Sequence, residues 1–208
     1  MPLDLASLNS VKNFVEIFLT KYDQPHMLIN NAGLISVGPF ERVEDGFEAM
    51  FGVNVIGTHY LTILLLPILE NSRPSRIVNV VLMLLSFELD RRLRSTGIFN
   101  LYINTSHPGS VKNGPYYERV RKNSPFDRFI GGLFLATADV GALPQLYLTT
   151  SPEVEEKNIH SKYYVPNAKP GWTSAYTKSE KEAEKAWNIV ERFIKEKVPY
   201  YPGASIYI

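Results

Sequence analysis

The chain has 208 residues, 22 lysines and arginines against 21 acidic residues, 45% hydrophobic residues and no cysteine. A net charge of +1 gives no electrostatic footprint for nucleic acid or an anionic membrane, and the longest basic run is the short Arg91-Arg92-Leu93-Arg94. The missing cysteine excludes a disulfide framework, a thiolate nucleophile and thiolate-held zinc or iron–sulfur sites, and 12% aromatic with 21% charged residues describe one globular domain.

Met1-Pro2-Leu3-Asp4 lacks the basic start and apolar stretch of a secretory signal, so a cytoplasmic location is expected. Residues 8–22 place Val11, Phe14, Val15, Phe18 and Leu19 on one stripe of an amphipathic helix that Ser7 or Asn9 caps. His26-Met27-Leu28-Ile29 reads as a short strand closed by the turn chemistry of Asn30-Asn31-Ala32-Gly33. A long helix is expected over 43–69. Its most apolar part, from Val53 on, is broken by Asn54, His59 and Pro67 and reads as a core helix rather than a membrane span.

Arg76 to Val81 is β-branched, as a buried parallel strand requires. A helix follows over 82–94, then a strand over 98–104 that His107-Pro108-Gly109 breaks. The polar, Tyr-rich stretch 110–127, with Tyr116, Tyr117 and Phe126, is long enough for a lid-like loop. An apolar helix over 129–148, a strand over 163–166 and a charged helix over 178–197 complete the chain. Alternating strands and helices predict right-handed βαβ units in a parallel sheet covered on both faces. Ligands of such sheets sit at the carboxyl ends of the strands. The informative residues are therefore Asn30 to Gly33, Val80 onward and Ser106 to Asn113. His26, His59, His107 and His160 lack metal-ligand spacing. Asn104-Thr105-Ser106 fits a glycosylation acceptor but falls at the end of a predicted strand.

These residues together resemble the short-chain dehydrogenase/reductase family, more narrowly its retinol-dehydrogenase-like members. The resemblance is carried by Asp4-Leu5, Asn30-Asn31-Ala32-Gly33, Asn54-Val55-Ile56-Gly57, Arg76 to Val80, His107 to Val111 and Ser161 to Pro166. It implies a Rossmann-like, doubly wound α/β sheet and NADP or NAD as cofactor. Asp4 would then contact the adenine, Asn30, Asn31, Ala32 and Gly33 would line its ribose, and Pro108, Gly109 and Val111 would meet the nicotinamide. Asn54 would be the remnant of the catalytic set. The implied substrate is a small lipophilic alcohol, aldehyde or ketone.

Two parts of the family pattern are missing. None of the 13 glycines forms the phosphate-binding fingerprint, so 1–208 is expected to be a single partial domain without its first two strands. No Tyr is followed four residues later by Lys, the pair in which an ammonium lowers a phenol pKa for proton transfer. The nearest approach is Tyr117 with Arg121, at the wrong place in the chain. Val81 runs into Leu82-Met83-Leu84-Leu85 without a turn residue, whereas a βα connection ordinarily takes about 2–6 residues. An internal deletion after Val81 that removes the Ser, Tyr and Lys is the expected cause. The expectation is thus an impaired oxidoreductase. The alternative is a non-catalytic fragment or scaffold that pairs with a full-length relative, with a homo-oligomer forming through the 43–69 helix.

Overall fold

The computed structural model describes residues 1–35, 39–111 and 136–204. Five strands, β1 (Met27–Asn30), β2 (Ser75–Val80), β3 (Leu101–Ser106), β4 (Tyr163–Val165) and β5 (Lys169–Pro170), form one sheet in chain order. The first three pairings are parallel and place Leu28 beside Ile77 and Ile77 beside Ile103. The last is antiparallel, so the sheet is not parallel throughout as the sequence predicts. Pro166–Ala168 turns the chain back, and Asn167 takes a φ of 64° there, which an Asn tolerates.

The helices are α1 (Leu8–Leu19), α2 (Ala49–Asn71), α3 (Met83–Ser95), α4 (Ala138–Thr150), α5 (Glu153–Glu156) and α6 (Glu180–Lys197). Side chains on a strand alternate between faces, and two separate cores result. Ile77, Leu101 and Ile103 point to a core built with α1, α2, α3 and α6. Val78 and Tyr102 point to a smaller one with Leu148 of α4 and Val154 of α5. Buried Arg76 ties the second layer down, donating to the Leu148 and Thr149 carbonyls and pairing with Glu155 at 2.9 Å. It thereby satisfies carbonyls at the open end of α4.

Helix α2 is long and apolar enough to cross a membrane, yet it is largely buried in the core. Helix α6 covers it: His59 Nε2 lies 2.8 Å from Glu191 Oε1, Trp187 meets the His59 ring edge-on, and Phe193 packs on Phe47 and Phe51. Burial alone would raise the Glu191 pKa, but bonds from His59, Tyr201 and the Ala204 N–H hold it below the usual carboxylate value. The Asn104-Thr105-Ser106 triplet is fully buried in β3, out of reach of a glycan. Most of the expected 110–127 loop, with Asn113, Tyr116, Tyr117, Arg121 and Phe126, lies outside the described residues, as do positions 129–135 of the helix expected over 129–148.

Candidate functional site

The carboxyl ends of β1, β2 and β3 lie side by side and bound one crevice. At the end of β1 the Asn30 carboxamide turns inward. Its Nδ2 donates to Thr62 Oγ1 at 2.9 Å and to Asn79 Oδ1 at 2.6 Å, and Asn79 donates on to Ser86 Oγ at 2.8 Å. This buried chain joins β1, α2, β2 and α3. Asn31 is exposed, and its Oδ1 accepts from Gln145 of α4.

Asn54 fixes the loop that follows. Near its start α2 passes through a π-helical turn, Gly52–Gly57, and Asn54 projects from it. Its Oδ1 accepts from the Leu34 N–H at 2.9 Å and its Nδ2 donates to the Leu34 carbonyl at 2.8 Å. Gly33 packs beside this pair, since a Cβ there would sit 3.1 Å from Asn54 Oδ1. One helix turn away, Gly57 admits the Leu5 carbonyl against the α2 backbone, where any side chain would clash. Asp4 just before it is exposed, and its carboxylate accepts the Ala6 N–H at 2.9 Å.

At the end of β3 the chain reverses through Pro108 and Gly109. Gly109 has a φ of +73°, and a Cβ on it would lie 2.7 Å from Pro166, so glycine is required on both counts. The Gly109 N–H donates to His107 Nδ1 at 2.8 Å, which makes His107 a turn-shaping residue. Val111 bridges to Ala136 and packs against Gly141 of α4. Behind this turn, Ser106 Oγ is buried with no hydrogen-bond partner among the described residues.

The end of β2 is built differently. Val81 is 52% exposed and has a φ of 72°. A β-branched residue in that region is a genuine outlier, because its Cβ crowds the carbonyl. Helix α3 starts two residues later with no side-chain cap at Leu82 and no acidic residue in its first turn. An apolar cleft of about 440 Å³ opens there, lined by Phe51, Val55, Val81, Met83, Tyr176 and Ile189 among others. It can hold an apolar molecule. Among the described residues that line it there is no lysine, arginine or histidine to assist Tyr176 in proton transfer.

Among the described residues a dinucleotide site is not complete. The side chains of Asp4, Asn30, Asn31 and Asn54 are each engaged within the chain itself. Among the described residues no glycine-rich loop leads into a helix N-terminus to receive a pyrophosphate. Among the described residues no cluster of His, Asp or Glu could hold a metal ion. Asn30 to Gly33, Asn54 and Pro108-Gly109, singled out by the sequence, lie at these strand ends and on α2. The chain of bonds through Thr62, Asn79 and Ser86 has members on three elements and carries no local sequence signal.

The short chain dehydrogenase family model matches residues 1–84. The chain is 33% identical to retinol dehydrogenase 14 of Homo sapiens over 223 aligned positions that cover 91% of this chain and 64% of that protein. It is 30% identical to a short-chain dehydrogenase/reductase of Armillaria gallica, covering 94% of this chain and 73% of that one. The chain thus spans less than two thirds of the human relative. Because 223 positions exceed the 208 residues of the chain, the relative carries positions inside the matched span that this chain lacks. Among solved structures, L-sorbose reductase from Gluconobacter frateurii, complexed with NADPH and L-sorbose, shares the fold at a TM-score of 0.58 and 15% identity, over 80% of this chain and 74% of that chain.

Proposed function

The chain belongs to the short-chain dehydrogenase/reductase family, and from that membership we propose an NAD(P)-type oxidoreductase scaffold for a lipophilic alcohol, aldehyde or ketone whose turnover is impaired. The β2–α3 junction carries this reading. A β-branched residue at φ 72° followed by an uncapped helix is what two segments joined across a deletion would leave. The family-model match ends at residue 84, just past that junction, and the human relative carries positions within the matched span that this chain lacks. The apolar cleft beside Val81 would take the lipophilic substrate, and Asn54 would act as a positioning residue for the loop after β1. Residues 1–208 form one partial domain in this reading, in a cytoplasmic protein.

The test is NADPH or NADH oxidation with a medium-chain aldehyde, with and without protein. No rate above the protein-free control is expected, and a clear protein-dependent rate overturns the impairment. Titration calorimetry with NADP and NAD measures cofactor retention separately, and weak or no heat is expected because the phosphate nest is missing.

A second reading, a non-catalytic partner of a full-length relative, is favoured by the outer edge of β1, which pairs with no strand among the described residues and where Met27 is 50% exposed. Such an edge is a template for strand addition. A homo-oligomer through the 43–69 helix would have to displace α6, which packs on α2. Light scattering of the purified chain decides between association and a monomer. Sequencing the transcript for coding bases between Val81 and Leu82 tests the deletion directly.

A further inference from the structure

Away from the crevice, a cleft of about 800 Å³ lies between α3 and the β4–β5 hairpin. That is the size of a small-molecule site, and none of its lining residues is among the strand-end positions described above. Phe87, Tyr163 and Pro170 give it apolar walls, and four cations, Arg91, Arg94, Lys162 and Lys178, face Asp90 and Glu180.

Sorting those charges by their partners changes the balance. Asp90 is engaged, Oδ1 with His160 Nδ1 and Oδ2 with Ser161 Oγ, both at 2.8 Å. Arg91 is held by both oxygens of Glu88. Arg94 stacks over the Phe99 ring, and its Nη1 is buried without a hydrogen-bond partner among the described residues. Neither Lys162 nor Lys178 forms an ion pair among them. Three cations therefore remain against the single carboxylate of Glu180.

We propose that this cleft binds a small anionic amphiphile, its carboxylate or other anionic head meeting Arg94, Lys162 and Lys178 and its apolar body lying along Phe87 and Tyr163. Arginine suits that role because its planar fork matches an oxyanion.

Trp172 supplies the reporter: it is 83% exposed and sits between the lining residues Gly171 and Thr173. The experiment titrates the whole chain with decanoate, with decanol as the uncharged chain and with inorganic phosphate as the chainless anion, following Trp172 fluorescence against a Trp172→Phe control. Decanoate binds tightest, and Arg94→Gln and Lys162→Gln each weaken it about tenfold, the loss of one charge-assisted contact. Lys162 is exposed, so its variant keeps the test valid should Arg94→Gln fail to fold. Decanol or phosphate binding as tightly as decanoate overturns the proposal, as does decanoate affinity unchanged in Lys162→Gln.

Discussion

The ends of β1 and β2 are neighbours in one sheet and handle the same problem in opposite ways. After β1 the chain leaves through side chains made for the purpose, with Asn30 bonded inward and Asn54 satisfying both backbone groups of Leu34. After β2 the turn holds mainly on backbone bonds, the Val81 N–H to the Ser106 carbonyl and the Met83 N–H to the Val81 carbonyl, with Ser86 alone adding a side-chain bond, to the Leu82 carbonyl, and with Val81 in a region its branched side chain disfavours. The first turn has side chains that bond its own backbone on both sides, whereas the second has neither a capping side chain nor a turn residue at Val81. Val81 is the one β-branched residue with a positive φ among the described residues, and it falls at this junction.

The first way to break the comparison is to damage the well-made end. Asn79→Ala removes the acceptor of Asn30 and the donor to Ser86 at once, in a region that water does not reach. A loss of about 2 kcal/mol in unfolding free energy by urea titration is expected, the cost of stranding buried polar groups. A loss under about 0.5 kcal/mol would mean the chain of bonds contributes little net stability, and the two strand ends would then be energetically alike.

How much of this was legible in the sequence follows from the range of the forces involved. Helices α1, α3 and α6 fall within three residues of their expected bounds, because an apolar stripe is a local pattern, sharpened at α1 and α6 by a capping serine. Strand β3 runs to Ser106 rather than Asn104, since Thr105 and Ser106 pair with Tyr163 and Tyr164 far along the chain. The antiparallel β5 strand is two residues long and has no periodicity to read. At the site, the abrupt β2–α3 junction is legible as a lack of turn residues after Val81. The inward turn of Asn30 is not, because Asn-Asn-Ala-Gly reads equally well as an exposed turn and only Thr62 and Asn79 decide it.

The second test sharpens the poor end. Val81→Gly removes the Cβ that resists φ 72°, worth about 1–2 kcal/mol, and gives back roughly 0.5–1 kcal/mol in unfolded-chain entropy. A net gain of about 0.5 kcal/mol, or roughly 2 °C in melting temperature, is expected. The reverse exchange at the good end, Gly33→Ala, lowers stability because its Cβ presses on Asn54 Oδ1. Should Val81→Gly destabilise the chain, the junction is not strained, and the structural argument for a deletion there fails.

The smallest effect compares how the two following helices start. Glu48 accepts the Met50 and Phe51 N–H groups at the first turn of α2, at 3.0 and 2.8 Å, whereas Leu82 offers α3 nothing. Those two N–H bonds, against a slight opposing effect of burial, hold the Glu48 carboxyl below its ordinary pKa. A carboxyl whose folded pKa is depressed stabilises the fold fully above its unfolded value, about 4.3. That contribution fades as the pH falls through the lower folded value. Glu48→Gln should therefore lower the melting temperature slightly at pH 7, by less than Val81→Gly raises it, and the difference from the parent should close as acid protonates Glu48. A gap that stays constant from pH 7 into the acid range would show that the amide loses geometry rather than charge. The start of α2 would then owe its order to packing, as the start of α3 must.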